Sequence, residues 1–210
     1  VANAVNQFLG TGWQVAPVRP STAEVVRPAI TARFHRSAEG LSYWAYGLSV
    51  EAHQPEQVAS AWVYQAILSG GKGARLFTQI REGLGWGYDF GGLSLLEPGR
   101  LLLIGFVQAG RAYTGRPDAL NQRLSEPVRP DEVERAKAFL LGAWHRDRLE
   151  LSEYLRRLAE AELAGVGIEL ETSLPQWLER VSLETVQALE ARFQSDQPYL
   201  PTSGTNTHSP

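Results

Sequence analysis

The chain has 210 residues, which is enough for one domain with a hydrophobic core or for two small ones. Hydrophobic residues make up 43% and charged residues 20%, as in ordinary globular proteins, and the net charge is -3. This balance excludes a bulk attraction to nucleic acid or to anionic membranes. Apolar runs such as Leu101–Val107 are too short to span a bilayer. The absence of cysteine excludes disulfides, thiolate metal sites and cysteine nucleophiles, but it leaves the compartment unknown.

The first part of the chain is predicted to be a linker. Pro17, Pro20 and Pro28 prevent a long helix there. We therefore interpret residues 1–27 as a linker from an upstream domain. The sequence also has no methionine, so we expect that residues before Val1 have been removed, with a signal or a further domain among them.

Strands alternate with helices in the first half of the predicted domain. Apolar and polar residues alternate from Ile30 to His35, which is the period of a half-buried strand. The other predicted elements are a strand over 41–50, helices over 55–68 and 74–82, and strands over 88–96 and 101–109. The last strand is almost continuously apolar, so we expect it to be central in its sheet.

The second half is predicted to be helical. Pro130 opens a long helix that ends near Leu149, and acidic residues in its first turn suit the helix dipole. Further helices are predicted over 117–124, 150–164, 173–181 and 182–193. Strands followed by helices predict an α+β fold, a two-layer sandwich with an antiparallel or mixed sheet and helices on one face. The domain is expected to span residues 28–194 and to precede a flexible tail over 195–210.

The most informative segment is 68–88. Its stretch Gly70-Gly71-Lys72-Gly73 shares Gly-Lys with phosphate-binding loops. Such a loop needs Gly, four residues and then Gly-Lys-Ser/Thr after a strand. Here Gly73 follows Lys72, and the segment follows a predicted helix. Nucleotide binding is therefore the least favoured alternative, and a calorimetric titration tests it.

The same segment resembles the second-domain signature of the insulinase and mitochondrial-processing-peptidase family of zinc peptidases, the inverzincins. The signature consists of a Gly-Gly turn, Ser-Arg-Leu-Phe, Arg-Glu and Gly-Leu-Ala-Tyr. The matching residues are Gly70, Gly71, Arg75, Leu76, Phe77, Arg81, Glu82, Gly85 and Tyr88. The sequence departs from it at Ala74 and at Trp86-Gly87. Residues 130–137 and 181–186 also resemble helix starts of this family.

The resemblance implies that zinc is held outside this chain. Zinc domains of the family bind the metal through His-x-x-Glu-His, and a glutamate of that motif polarises the metal-bound water. None of the four histidines, His35, His53, His145 and His208, belongs to such a motif. We interpret them as strand or surface histidines. We therefore expect no cofactor in this chain, and we expect zinc in a partner domain or subunit, upstream in the same chain or separate.

The resemblance also implies two site residues. The zinc-free domain of the family contributes an arginine and a tyrosine that reach the substrate, and Arg81 and Tyr88 match them. A guanidinium can hold a substrate carbonyl through forked hydrogen bonds, and a phenol can donate to a developing oxyanion. The expected function is thus to bind peptide and polarise the scissile carbonyl, without proteolysis by the chain alone. The alternatives are a surface arginine with a half-buried strand tyrosine, and a non-enzymatic scaffold or partner-binding module of the same fold.

Three further features of the sequence can be interpreted. The aromatic residues have two interpretations, as the lining of a peptide groove or as part of the core, and core packing is favoured for most of Tyr43, Trp44, Tyr46, Trp62 and Tyr64. Acidic residues interleave the arginines at 146, 148, 156 and 157, so these arginines are interpreted as a solvated helix face. By analogy with the family, the free sheet edge can also bind an extended peptide.

Overall fold

An antiparallel sheet forms one layer of the protein. A computed structural model describes residues 33–36, 42–85, 87, 89–109, 124 and 126–195. Within these residues the strands are β1 (Arg33–Arg36), β2 (Ser42–Ala52), β3 (Asp89–Glu97) and β4 (Gly99–Ala109). Their order in the sheet is β1-β2-β4-β3, and every neighbouring pair is antiparallel. Strand β4 is therefore central, as its apolar sequence predicts.

Helices form the second layer. They are α1 (Pro55–Ser69), α2 (Pro130–Asp147), α3 (Leu151–Leu163), α4 (Glu169–Thr172), α5 (Leu174–Arg180) and α6 (Leu183–Ser195). A short 3-10 turn, Gly71–Gly73, and a π-helix, Leu76–Glu82, lie between α1 and β3. Helix α1 contacts β2, β3 and β4 on one side and α2, α5 and α6 on others, so it is buried almost all round. This arrangement confirms the predicted α+β fold.

Alternating burial shows which face of the sheet the helices cover. In β2 the side chains of Tyr46, Leu48 and Val50 are buried, whereas the intervening Gly47 and Ser49 are partly exposed. The corresponding positions of β4 follow the same alternation. Because side chains alternate between faces along a strand, one face carries the core and the other stays open.

Two glycines let α1 approach the sheet closely. Gly92 and Gly105 are paired across β3 and β4, and Gly105 is also paired with Tyr46 of β2. A Cβ at Gly105 would lie 2.0 Å from the Tyr46 ring, and one at Gly92 would lie 2.1 Å from the Gln65 side chain. The space lets the Gln65 amide donate a 2.9 Å hydrogen bond to the Ile104 carbonyl. The end of α1 is thereby fixed over β3 and β4, directly before the segment that carries the candidate site.

Most predicted elements are confirmed within a few residues. Ser182 caps α6 as predicted, since its hydroxyl accepts a 3.2 Å hydrogen bond from the Thr185 amide. The helix predicted over 173–181 is confirmed as α5, and the structure adds the short helix α4 before it, which the sequence does not predict. The helix predicted over 117–124 lies outside the described residues except for Leu124. The domain limits at 1–27, 28–194 and 195–210 stay predictions.

The favoured core role of the aromatic residues is confirmed for two of them. Tyr46 is 2% exposed and Tyr64 is fully buried, and both rings pack edge-on against Phe193 of α6 at 5.3 and 5.9 Å between centroids. Trp62 is partly exposed. The side chains of Tyr43 and Trp44 lie outside the described part of the structure.

The interpretation of a solvated arginine face is wrong for one of its members. Arg157 donates a forked pair of hydrogen bonds, 3.0 and 2.9 Å long, to the Glu171 carboxylate. It also donates to Asp147 at 3.2 Å and stacks over the Trp62 ring at 5.5 Å. Glu171 follows Arg157 by 14 residues, beyond helical spacing, so the sequence pattern does not show this contact.

Among the described helices, none is long and apolar enough to cross a membrane.

Candidate functional site

The segment between α1 and β3 begins with a glycine turn that packs on α2. The Gly73 carbonyl accepts a 2.8 Å hydrogen bond from Arg135. Gly71 has φ 76°, and a Cβ there would lie 3.0 Å from the Phe139 ring. The turn at the end of α1 is therefore packed against α2.

The sequence predicts an ordinary helix over 74–82, but its core is wound as a π-helix from Leu76 to Glu82. The wider winding is visible where the helix ends, because the Gly83 amide donates to the carbonyl of Thr78. Single π turns are rare and are found frequently at functional sites. Local propensity gives no signal for this winding, since the residues involved are ordinary helix formers.

Arg81 lies near the end of the π-helix and is partly exposed. Its guanidinium stacks over the Phe77 ring, with 4.9 Å between Cζ and the ring centroid. Phe77 in turn packs edge-on against Phe90, near the start of β3, at 5.6 Å. These two contacts place the cationic group of Arg81 beside the point where the chain enters the sheet.

Tyr88 lies outside the described residues, so its position relative to Arg81 is not part of the structure. The chain between them passes Gly85, with φ 65°, and then Gly87. Tyr88 immediately precedes Asp89, the first residue of β3. The sequence prediction that the two side chains converge on one substrate stays a prediction.

A second arginine of the segment, Arg75, is buried and only 1% exposed. Its guanidinium makes a forked pair of hydrogen bonds to Glu132 of α2, 2.9 and 2.8 Å long. It also donates to the Leu124 carbonyl at 2.9 Å and to Glu190 of α6 at 3.4 Å. A buried charge needs such partners, because burial without them is costly. Arg75 thus joins the π-helix to α2 and α6.

The two carboxylates of this network differ in their pKa. Burial raises the pKa of Glu132. Hydrogen bonds from the Arg75 guanidinium and the Arg129 amide lower this pKa by more than burial raises it, so its net shift is downward. Burial also raises the pKa of Glu190, and its Val128 amide and longer Arg75 contacts do not offset that rise. Glu132 receives the forked bonds of Arg75, whereas Glu190 has one longer contact with it and is also repelled by the Glu132 charge.

Sequence patterns do not reveal this network. Arg75 belongs to the matched signature, and Glu132 is one of the acidic residues that suit the dipole at the start of α2. The two residues are 57 positions apart, and Glu190 is 115 positions from Arg75. Only the tertiary fold brings them together.

A separate pocket of about 420 Å³ lies at the opposite end of the sheet from Arg81. It includes Val50 and Glu51 of β2, whose strand partners adjoin the β3–β4 hairpin. Trp177 and Arg180 of α5 also line it, with the Arg180 guanidinium 4.8 Å from the centroid of the Trp177 ring. Arg81 is not among its residues, so the pocket and the candidate site are distinct.

Comparisons with known proteins identify the fold. No protein-family model matches the sequence, and no curated protein matches it significantly. Among solved structures, the inactive peptidase domain of a predicted zinc protease from Bordetella parapertussis aligns with a TM-score of 0.60 at 20% identity, covering 81% of this chain and 98% of that one. A protease from Helicobacter pylori aligns with a TM-score of 0.63 at 15% identity, over 80% and 42% of the two chains. A peptidase M16 inactive domain from Pseudomonas fluorescens gives 0.52 at 20%, over 72% and 37%.

The chain has the fold of an M16 peptidase domain. The predicted resemblance to zinc peptidases of the insulinase type is thereby confirmed at the level of the fold. This M16-type domain spans nearly all of the Bordetella chain but less than half of the Helicobacter and Pseudomonas chains. Two of these three relatives are described as inactive domains.

The described part of this M16-type domain does not fit a zinc ion. It contains no group of three or more His, Cys, Asp or Glu side chains that could hold a metal. His53, in the turn between β2 and α1, and His145 of α2 are both exposed, and the His145 ring packs edge-on against Trp144 at 4.9 Å. The side chain of His35 and the whole of His208 lie outside the described residues.

Proposed function

We propose that this chain is the zinc-free domain of an insulinase-type peptidase, and that it binds peptide opposite a zinc-bearing domain or subunit. The observation that carries the proposal is Arg81, a partly exposed cation beside the first residues of an edge strand in an M16-type fold. On this proposal the chain is not proteolytic alone. Its role is to hold the substrate and to polarise the carbonyl that the partner attacks.

The contacts of Arg81 suit a residue that receives a ligand. The guanidinium plane rests on Phe77, and Phe77 rests on Phe90, so the stem of the arginine has an apolar support. The side chain is nevertheless only partly buried. A guanidinium supported in this way can offer forked donors to a peptide carbonyl or to a terminal carboxylate.

Tyr88 is proposed to act on the reacting carbonyl itself. Its phenol would donate a hydrogen bond to the oxygen on which negative charge develops during attack. In the sequence Tyr88 directly precedes Asp89, the first residue of β3, and Arg81 is stacked on Phe77, which packs against Phe90 of that strand. Arg81 would then orient the peptide while Tyr88 stabilises the transition state.

The edge of the sheet suits an extended substrate. Among the described residues β3 pairs only with β4, so its outer edge has no strand partner there. An unpaired edge can accept a peptide as an additional strand through main-chain hydrogen bonds. A peptide bound along β3 would pass beside Arg81 at the start of that strand.

The test is reconstitution of the full chain with its zinc-bearing partner. Arg81→Ala and Tyr88→Phe are each expected to lower kcat/KM for peptide cleavage by roughly 100-fold, because the first removes the donors that orient the peptide and the second removes the donor to the developing oxyanion. Arg81→Lys should recover part of the loss, since it keeps the charge but not the fork. Arg180→Ala is a matched control, because Arg180 also stacks on an aromatic ring, at 4.8 Å, but lies at the other end of the sheet. It should leave turnover unchanged.

Two outcomes count against the proposal in different ways. Wild-type turnover in both Arg81→Ala and Tyr88→Phe would remove the proposed site. Failure of every candidate partner to bind zinc, together with intact binding of partner and peptide, would instead support the alternative, a non-enzymatic scaffold or partner-binding module of the same fold.

A further inference from the structure

Helix α3 exposes an apolar stripe to solvent. Leu151 is 69% exposed, Leu155 is 54% exposed and Leu163 is 68% exposed, and Ala159 between them is exposed as well. The four residues are spaced by four positions, so they form one row along the helix. We call this row the α3 stripe. Single exposed leucines are common, but a continuous row of them marks an interaction surface.

The orientation of the stripe is fixed by the opposite side of the helix. Ala161 on that side is 1% exposed. Arg157 connects α3 to α4 through Glu171 and to the end of α2 through Asp147. At the start of α3, the Arg148 guanidinium lies between the rings of Trp144 and Tyr154, at 4.5 and 4.4 Å. The helix therefore cannot rotate to bury its leucines without breaking these contacts.

We propose that two copies of this chain pair through the α3 stripe in antiparallel orientation. In a two-fold pair, each copy presents the same surface to the other. With the axis midway between Leu155 and Ala159, Leu155 faces Ala159 of the copy and Leu151 faces Leu163. The small Ala159 makes room for the larger Leu155, so all the exposed leucines of both stripes become covered.

The charges beside the stripe fit this orientation. Arg156 and Glu160 lie on the same flank of α3 and are hydrogen-bonded to each other, and Arg156 also pairs with Glu153. In an antiparallel pair like flanks face each other, so Arg156 of one copy lies beside Glu160 of the other. The same contact is repeated by symmetry. Opposite charges at these positions favour the pairing and set its register.

Sedimentation of the full chain over a concentration series tests the pairing. The wild-type chain should show a monomer–dimer equilibrium. Leu155→Lys should raise the dimer dissociation constant by roughly 100-fold or more, because the symmetric pair carries the change twice and each central contact is commonly worth about tenfold. Leu95→Lys is the matched control: Leu95 is 46% exposed on the open face of the sheet, and its substitution should leave the equilibrium unchanged.

A mixing experiment separates contacts between copies from those within one helix. Arg156→Glu and Glu160→Arg should each weaken self-association, because each homodimer then places like charges side by side twice. An equimolar mixture of the two variants should associate about as well as wild type, since both contacts between copies again join opposite charges. If Arg156 and Glu160 act only within their own helix, mixing the two variants would not restore association.

The proposal fails if the wild-type chain is monomeric at all concentrations, or if mixing restores nothing. It also fails if Leu155→Lys leaves self-association intact. A monomeric wild type whose binding to the zinc-bearing domain is lost in Leu155→Lys would assign the stripe to that domain instead. If the wild-type chain dimerises normally but does not support peptide cleavage, only the proposed function is contradicted.

Discussion

Arg75 and Arg81 stand at the two ends of one π-helix and have opposite surroundings. Arg75 is 1% exposed and meets two carboxylates and two backbone carbonyls through hydrogen bonds. Arg81 is partly exposed and rests on the face of Phe77. Both arginines belong to the same sequence signature, yet Arg75 is buried and Arg81 is partly exposed.

The difference shows that residues of one matched motif can have different roles, some structural and others candidates for function. Arg75 connects the segment to α2 and α6 and so fixes where the π-helix lies. Arg81 then depends on that position for its own placement beside β3. Structural and candidate functional arginines can therefore be separated by their effects on stability and on activity, and three predictions use that separation.

The largest expected effect is from Arg75→Met. Removing the guanidinium leaves Glu190 without Arg75 and leaves Glu132 only the more distant Arg129, at 3.9 Å, and both carboxylates are only 5% exposed. Breaking a buried ion pair in this way typically costs about 3–5 kcal/mol. Urea denaturation of the full chain should show a fall of this size in the free energy of unfolding.

A compensated variant is the control for Arg75→Met. Adding Glu132→Leu and Glu190→Leu removes both uncompensated charges and should recover much of the lost stability. A loss below about 1 kcal/mol for Arg75→Met alone would show that the network contributes little, since most exposed substitutions fall in that range. Arg75 would then no longer differ from Arg81.

A smaller effect is expected in the pH dependence of stability, with opposite signs for the two carboxylates. The native-state pKa of Glu132 is lowered, so the native state binds fewer protons there and its contribution to stability is lost as pH falls. The native-state pKa of Glu190 is raised, so the native state binds more protons there and stability is lost as pH rises.

Unfolding free energies of wild type, Glu132→Gln and Glu190→Gln between pH 3 and pH 8 check these signs, with the usual glutamate pKa of about 4.3 inside the range. The advantage of wild type over Glu132→Gln should shrink toward acid, below that value. The advantage of wild type over Glu190→Gln should shrink above it. The exposed Glu184→Gln is the control for loss of one surface charge on α6. Slopes of the same sign for both variants would contradict the assignment.

The sequence predicts the elements well because their signals are local. Alternation finds the strands, Pro55 and the glycine cluster limit α1, and Ser182 starts α6. Each of these signals involves residues within a few positions of one another, so tertiary contacts are not needed to read it.

The parts that the sequence does not show depend on distant residues. The partners of Arg75 lie 57 and 115 positions away, and the Arg157 contact with Glu171 spans 14. The pattern of charged residues along the sequence does not indicate which charged side chains are buried. The placement of Arg81 likewise depends on the stacking of Phe77 on Phe90, which the resemblance does not specify.

The smallest effect is expected from Arg81→Ala on stability. The side chain is partly exposed, and its stacking on Phe77 at 4.9 Å is the type of contact that contributes about 0.5–1 kcal/mol at accessible sites. The free energy of unfolding should therefore change by about 1 kcal/mol or less, measured in urea beside Arg180→Ala, which loses a similar stack on Trp177. A loss near that of Arg75→Met would make Arg81 a second structural arginine, and any fall in turnover would then follow from a disturbed fold. A small loss in stability combined with a large loss in turnover leaves contact with the substrate as the reason for the effect.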